Sequence, residues 1–377
     1  MTCLRPWWLG NGPTRSQFVW NDSFFISLTV VPNQFRQTRR KLAAAGKTRN
    51  RRLAEVIAPP GAVGTESAAE VDAVAAKAGA ARVEVKLEAG WHKRNFLTEV
   101  LLPSLFARRA GVKGRSALFP QLDNTQIGIT WIGHASFLVQ IAGLNILIDP
   151  IWGLWLKGIK RLKQPGVALQ ELPMIDLVLV THAHFDHLDR RTLRAVAANQ
   201  PIVVPFGVGN LVHDLGFQRV HELDYWREVT FGEGERQLTI TLTPCHHWGA
   251  RILHDQHRGF GGFVLRTAGG RSVFHCGDSA YFDGFKEIGR RLPVEIALLP
   301  IGAYDAPSKR DVHMNPEEAV QAFLELGAQK LVPMHYGTFR LSYEPLSEPP
   351  TRLLARAQEA GVAEKVFLMN EGEPGVF

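Results

Sequence analysis

The motif H-A-H-F-D-H at residues 182–187 constrains the fold of this chain more than any other feature. It places three histidines and one aspartate directly after an apolar run at 175–180, which predicts a buried strand. Burying four polar side chains together is costly unless they have partners. Neutral imidazoles and carboxylates are side chains that bind Zn²⁺. The motif therefore predicts a metal site at the carboxyl end of a strand.

Further side chains of the ligand type follow other predicted strands. His246 and His247 come after a strand at 237–243. Asp278 follows the strand in S-V-F-H-C-G-D, and His335 follows the strand in K-L-V-P-M-H. Open α/β sheets place their chemistry at the carboxyl ends of strands, so we expect these residues to meet the motif. One zinc ion takes about four ligands including water, so the set can begin two adjacent open sites.

From residue 127 onward, strand patterns alternate with helix patterns, which predicts an α/β fold. Asp189 is the expected N-cap of a helix that runs to about residue 198. Asn315, with Pro316 and Glu318 behind it, is typical of a second helix start. A further helix is expected at 350–360 and a last strand in V-F-L-M, residues 366–369.

The first 90 residues show no sustained apolar period and contain basic clusters and a P-P-G turn, which predicts a flexible, irregular extension. Residues 91–124 are interpreted as a connecting helical segment that Pro103 interrupts, and residues 125–377 as the main domain. The net charge of +7 comes from the N-terminal part, because the remainder is acidic overall. Such a basic region is compatible with nucleic acid or anionic lipid. We interpret it as a solvated extension and expect no nucleic-acid partner.

Composition bounds the cellular setting. Three cysteines without a spaced pair do not indicate a disulfide framework and fit a reducing compartment. No apolar run approaches the ~20 residues of a membrane span, and the N-terminus lacks the pattern of a signal peptide. The sequence predicts a cytoplasmic protein, and it leaves peripheral contact with a membrane and a homo-oligomer open.

The spacing of these motifs resembles the metallo-β-lactamase superfamily over about residues 125–377. A narrower resemblance is to the branch of N-acylphosphatidylethanolamine-hydrolysing phospholipase D, which also includes many bacterial hydrolases. The motifs that carry it are W-I-G-H-A-S-F-L-V, I-L-I-D-P-I-W, T-H-A-H-F-D-H-L-D, P-C-H-H-W, C-G-D-S-A-Y, P-I-G-A-Y, H-M-N-P-E-E-A and M-H-Y-G-T-F.

The resemblance implies a four-layer αββα sandwich with an irregular N-terminal extension, in which residues 125–377 form the hydrolase domain. It also implies two Zn²⁺ ions per chain, with Mn²⁺ or Fe as alternative metals. Asp149 and His134 are expected to support the ligands. The implied ligands are His182, His184 and His247 for one ion, Asp186, His187 and His335 for the other, and Asp278 as the bridge between them.

The function implied is a phosphodiesterase that attacks an N-acylphosphatidylethanolamine-like phospholipid through a metal-bridging hydroxide. Asp186 would orient the nucleophile and accept its proton, and His313 would protonate the leaving group. The alternative for His313 is a histidine that merely precedes the Asn315 cap. A lactonase acting on acyl or sugar-phosphate lactones uses the same ligand set. A non-enzymatic metal-binding or ligand-binding scaffold is the alternative of another class.

Overall fold

The computed structural model describes residues 94–114, 117–252, 255–308 and 311–377. These residues form a seven-stranded sheet, a six-stranded sheet and a two-stranded hairpin. The extension predicted for residues 1–90 lies outside the described residues. The division into 1–90, 91–124 and 125–377 therefore stays a prediction.

The strands begin and end as follows. In chain order they are β1 (Gly128–Gly133), β2 (Ser136–Ile141), β3 (Leu144–Ile148), β4 (Trp155–Leu156), β5 (Ile159–Lys160), β6 (Leu177–Leu179), β7 (Ile202–Pro205), β8 (Val220–Leu223), β9 (Glu228–Phe231), β10 (Leu238–Thr243), β11 (Gly262–Thr267), β12 (Ser272–His275), β13 (Ile296–Pro300), β14 (Lys330–Met334) and β15 (Pro374–Val376).

The helices are short and lie between strands. A π-helical turn, Leu97–Leu101, continues into α1 (Leu102–Phe106), and the later helices are α2 (Arg190–Val196), α3 (Gly284–Arg291), α4 (Pro316–Leu326) and α5 (Glu348–Glu359). Single 3₁₀ turns lie at Leu169–Glu171, Gly209–Leu211, Gly234–Arg236 and Ala363–Lys365. None of these described helices combines the length and the apolar composition of a membrane span.

The first sheet has the order β15-β1-β2-β3-β6-β7-β8 and the second has the order β14-β13-β12-β11-β10-β9. Each sheet joins an antiparallel part to a parallel part. In the first, β3, β6, β7 and β8 are parallel, and in the second β12, β13 and β14 are parallel. Parallel strands align their carboxyl ends, so each sheet presents several loops at one edge.

Alternate side chains along a strand pack on opposite faces of the sheet, which places one core between the sheets and another under the helix. On β2, Phe137 and Val139 join the central core that also contains residues of the second sheet. Leu138 points the other way and belongs to a separate cluster with Leu193 of α2. Successive side chains of a strand face opposite sides, so the first sheet buries both faces. Helices α3, α4 and α5 pack side by side, with α4 against β13. The predicted αββα sandwich is confirmed.

The predicted helix starts are confirmed. The Asp189 side chain accepts the backbone N–H of Arg191 and caps α2. Asn315 and Glu318 form a reciprocal capping box at α4, with Pro316 in the first turn. Both caps satisfy backbone donors that have no partner within a helix.

The strand predicted in V-F-L-M is wrong. Only Val366 pairs there, in an isolated bridge with Leu331 of the second sheet. The last strand is β15, which pairs antiparallel with β1 of the first sheet. The chain must cross from one sheet to the other between residues 366 and 374, so the apolar run cannot stay paired along one edge.

Within the connecting segment predicted at 91–124, the described helical residues are 97–106. Pro103 lies just after the junction between the π-helical turn and α1, so its missing N–H coincides with the change of helix type. The segment rests on the domain through Phe96, whose ring meets that of Tyr343 edge-on at 5.7 Å. Lys160 Nζ also donates to the carbonyl oxygens of Leu105 and Ala107 at the end of α1.

Candidate metal centre

The site lies where loops from both sheets meet. The motif follows β6 of the first sheet, and His134 and Asp149 follow β1 and β3. The second sheet contributes the loops after β10, β12 and β14. Among the described residues, the side chains close enough to share a metal ion form three overlapping groups, each with ligand atoms within 4.8 Å of one another. These groups are His182, His184, His247 and Asp278; His134, Asp186, His187 and His335; and Asp278, His313 and His335.

Three of the strand ends use an unusual backbone conformation. His134, Asp149 and His335 each directly follow a strand and have φ angles of 58°, 44° and 64°. Residues with a Cβ seldom adopt this left-handed region, and holding them there costs of order 1–3 kcal/mol each. The surrounding structure must offset that cost, and the turns direct all three side chains into the site.

The first group consists mainly of imidazoles. His182 Nε2 lies 3.0 Å from His184 Nδ1, and His247 Nε2 lies 3.2 Å from the same atom. Asp278 Oδ2 lies 3.8 Å from both His182 Nε2 and His247 Nε2. Three ring nitrogens and a carboxylate oxygen therefore converge on one point.

The second group has its own carboxylate, Asp186, and also lies against Asp278 of the first group. Asp278 Oδ2 lies 3.1 Å from His187 Nε2 and 3.2 Å from His335 Nε2. Asp186 Oδ2 lies 3.9 Å and 3.6 Å from the same two nitrogens. One oxygen of Asp278 thus lies within 3.8 Å of nitrogens from both groups.

The donor set fits metal ions. Within the described part of the chain, His187 Nε2, His335 Nε2 and Asp278 Oδ1 are buried and have no hydrogen-bond partner. Burying such atoms unpaired is costly, and so many in one place call for a shared partner. Imidazole and carboxylate ligands in this number suit Zn²⁺, and also other first-row divalent ions.

Asp149 lies outside the proposed ligand set and orients His187 directly and His182 through Thr181. It accepts the backbone N–H of Thr181 at 2.7 Å and the Thr181 hydroxyl at 2.6 Å. Its Oδ2 lies 2.7 Å from His187 Nδ1, which leaves Nε2 of that ring facing the site. Thr181 Oγ1 lies 3.0 Å from His182 Nδ1. Such contacts fix the ring orientation of a metal ligand.

The two groups differ in electrostatics. Burial lowers the pKa of His182 and His247 well below the usual value and that of His184 to about 4. Burial acts in the same direction on His335, but Asp278 and Asp186 overcome it and raise its pKa to about 9. Asp278 and Asp149 likewise raise the pKa of His187 well above its usual value. The carboxylates therefore favour the protonated form of His187 and His335, whereas burial favours the neutral form of the three histidines in the first group.

The carboxylates stay ionised. Burial alone would raise the pKa of Asp278 and Asp186, but the surrounding histidines hold both well below their usual range. His187 is the main neighbour that lowers each of them. An ionised acceptor is therefore present at the centre of the site.

The supporting histidines of the sequence analysis also lie here. His134 is buried, with Nε2 3.0 Å from Asp186 Oδ2. His313 Nε2 lies 3.3 Å from Asp278 Oδ2, and its ring lies between those of His247 and His335 at 5.1 and 5.3 Å. His246 belongs to none of the three groups, and its backbone N–H donates to Ser279 Oγ instead.

The sequence analysis missed three residues that build the site. Thr181 connects Asp149 to the motif, and Thr338 Oγ1 accepts the backbone N–H of His134. Arg161 is fully buried and donates to the carbonyls of Ile132, Ile151 and Lys163, which ties the end of β1 to the loop after β3. Burial lowers the pKa of Arg161 to about 9. The only sequence signal for Thr181 is its position beside H-x-H, since threonines at strand ends have many other roles.

Comparison with known families identifies the chain. The sequence model of the beta-lactamase superfamily domain matches residues 144–336, which is half of the chain and includes all seven proposed ligands. The chain belongs to the metallo-β-lactamase superfamily. The domain match, the relatives and the structural neighbour below make it a metal-dependent hydrolase of that superfamily.

Similar proteins occur in a mycobacterium, a nematode and an archaeon. An uncharacterised protein of Mycobacterium tuberculosis is 37% identical over 65% of this chain and 68% of the relative. An N-acyl-phosphatidylethanolamine-hydrolyzing phospholipase D of Caenorhabditis elegans is 31% identical over 59% of this chain and 68% of the relative. The solved structure of a metallo hydrolase from Ignicoccus hospitalis has a TM-score of 0.51 and 27% identity, covering 67% of this chain and 98% of that one.

Proposed function

We propose that this chain is a binuclear zinc-dependent phosphodiesterase that acts on an N-acylphosphatidylethanolamine-like phospholipid. The observation that carries the binuclear proposal is the position of Asp278 Oδ2, close to nitrogens of both ligand groups. A carboxylate placed in this way suits a bridge between two ions. The proposed ligands are His182, His184 and His247 for one ion, Asp186, His187 and His335 for the other, and Asp278 for both.

The phospholipid class is supported by the relative and by a surface. The Caenorhabditis elegans relative is named for hydrolysing N-acyl-phosphatidylethanolamine. The helical segment before the sandwich exposes large apolar side chains at Leu97, Leu102, Leu105 and Phe106, the last with 85% of its surface accessible. An exposed apolar helix face is typical of a lipid-binding surface. Peripheral contact with a lipid surface is part of this proposal.

Bound metal ions would supply Lewis-acid assistance to phosphoryl transfer and make water acidic enough to react near neutral pH. Asp186 would accept the proton of the attacking water, because it stays ionised and His134 fixes one of its oxygens at 3.0 Å. His313 would donate a proton to the leaving alcohol oxygen as the phosphorus–oxygen bond breaks. Its Nε2 faces the proposed metal centre, 3.3 Å from Asp278 Oδ2.

The first test is elemental analysis of the purified protein, combined with hydrolysis of bis(p-nitrophenyl) phosphate before and after chelation. We expect about two zinc ions per chain and cleavage that chelation abolishes and zinc restores. Two metals without phosphodiester cleavage would move the proposal to a lactonase, which lactone substrates would test. Less than one metal ion per chain after incubation with zinc would contradict the binuclear site and favour a non-enzymatic scaffold.

A further inference from the structure

Arg251 lies in the loop after β10, four residues beyond His247, and its side chain reaches the H-A-H-F-D-H motif of the first sheet. Its Nη1 donates to the carbonyl oxygens of Ala183 at 2.6 Å and Leu188 at 2.9 Å. Its Cζ lies 4.0 Å from the centre of the Phe185 ring. Ala183 and Phe185 belong to the motif, and Leu188 directly follows it. One side chain from the second sheet therefore contacts the motif at three positions.

The backbone of the motif needs these donors. Ala183 and Leu188 are fully buried, and within the part of the chain that the structure describes no other donor reaches either carbonyl oxygen. A buried carbonyl without a partner is costly, and a charged donor makes the stronger bond. Burial lowers the pKa of Arg251 to about 10, so its guanidinium stays charged at neutral pH. Arg251 therefore stabilises the conformation of the segment that carries four proposed ligands.

The loop that carries Arg251 is fixed at a second place. A Cβ on Gly249 would lie 2.1 Å from the carbonyl oxygen of Arg258, so only glycine permits this approach. The Arg258 side chain pairs with Asp255 at 2.5 Å and donates to Asn210 Oδ1 at 2.6 Å, in the 3₁₀ turn after β7. Arg251 thus extends from a loop whose base is also tied to the first sheet.

The same loop supplies a ligand to the first group. His247 Nε2 lies 3.2 Å from His184 Nδ1, and the Trp248 ring meets the His184 ring edge-on at 4.8 Å. The first group therefore combines histidines from the motif with a histidine from the loop of Arg251. The second group takes no residue from the loop after β10. Contacts made by Arg251 should matter more to the first group.

We propose that Arg251 is a positioning residue, which holds the loop of His247 against the motif and thereby sets the zinc affinity of the first group. This inference rests on the metal centre of the proposed function and is independent of the reaction that the centre catalyses. Arg251 binds no metal ion itself and acts through the carbonyl oxygens of Ala183 and Leu188.

The test measures the zinc Kd in two single-site backgrounds, by competition with a chromogenic chelator. His335→Ala removes a ligand of the second group only, and His182→Ala removes a ligand of the first group only. Adding Arg251→Met to His335→Ala should weaken zinc binding by about tenfold or more, as expected for a residue that orients ligands. Adding it to His182→Ala should leave the Kd almost unchanged.

Two further variants separate this role from general stability. Arg251→Lys should restore part of the first-group affinity, because lysine keeps the charged donor but loses the planar contact with Phe185. If Arg251→Met does not fold, Arg251→Lys carries the test, with a smaller loss at the first group only. Arg290→Met, at an exposed arginine of α3 that pairs with Glu287, is the matched control and should leave both Kd values unchanged. Melting temperatures of the metal-free variants show that each titration is made on folded protein.

An unchanged first-group Kd in Arg251→Met would overturn the proposal. So would an equal loss in both backgrounds, because the effect would then not depend on the loop of His247. The proposed function would survive either result, since the wild type would still bind two zinc ions. A folded wild type that binds no zinc would instead contradict the proposed function, and this inference with it.

Discussion

The two sheets build the metal centre in different ways. The first sheet concentrates four ligand-type side chains in one six-residue segment after β6, supported by Asp149 and Thr181. The second sheet contributes isolated residues from three loops, one after each of β10, β12 and β14. The first two ligand groups do not follow this division, because each combines side chains from both sheets, whereas the third comes from the second sheet alone. The site therefore forms only when the two sheets pack correctly, although the first sheet contributes the one segment in which several ligand-type residues are close in sequence.

Asp278 is the residue on which both groups depend, so its loss should have the largest effect. We expect Asp278→Ala to lose both metal ions and all hydrolytic activity, because one buried oxygen serves both groups. Elemental analysis and activity assays measure this. Asp283→Ala, at an aspartate with 92% of its side chain exposed, is the matched control and should behave like the wild type. Wild-type zinc content in Asp278→Ala would contradict the binuclear proposal.

Substituting Asp149 or Thr181, which orient the ligands on the first sheet, should reduce metal binding less than the loss of Asp278. Asp149→Asn keeps the shape but removes the charge beside His187 Nδ1, so zinc affinity should fall by about 10–100-fold. The ion in the group of His187 should be lost first in a chelator titration. Thr181→Val removes the hydroxyl contacts with Asp149 and His182 but keeps the charge beside His187 Nδ1, so it should cost less. Equal loss of both ions in Asp149→Asn would show that Asp149 does not act through His187 alone.

The pH dependence of metal binding should separate the two groups. A proton must leave His335, whose pKa is about 9 before metal binds, so affinity at the second group should rise by at least about tenfold from pH 7 to 8. The first group should show little change, because the pKa of His184 is about 4 and its imidazole is already neutral. Calorimetric zinc titration in buffers of different ionisation enthalpy would measure the proton release. Identical pH dependence for both ions would contradict the electrostatic difference.

Loss of the helix caps of α2 and α4 should have the smallest effects on the protein. Asn315→Ala removes the capping box of α4, and Asp189→Ala removes the cap of α2. Each should lower the free energy of unfolding by about 1 kcal/mol, measured by urea denaturation. Asn315→Ala should cost somewhat more, because Glu318 also loses its reciprocal bond. Zinc content should stay at two per chain in both variants, and a loss of zinc would show that a cap positions the site.

Local patterns predicted much of this molecule. The order of most strands, the caps at Asp189 and Asn315, and the H-x-H-x-D-H motif all depend on residues within a few positions of one another. Backbone preference and side-chain alternation act over that same distance, so they can be seen without a structure. The position of the last strand could not be predicted, because the choice between pairing with Leu331 and pairing with β1 depends on where the two sheet edges lie.

By itself, the sequence determined which side chains are available to a metal centre and that each follows a strand. Tertiary structure alone decided that Asp278 lies between two groups and that Thr181 and Thr338 hold His182 and His134 in place. These facts depend on distances between residues far apart in the chain. Such distances are set by how two sheets pack, and no local propensity encodes them.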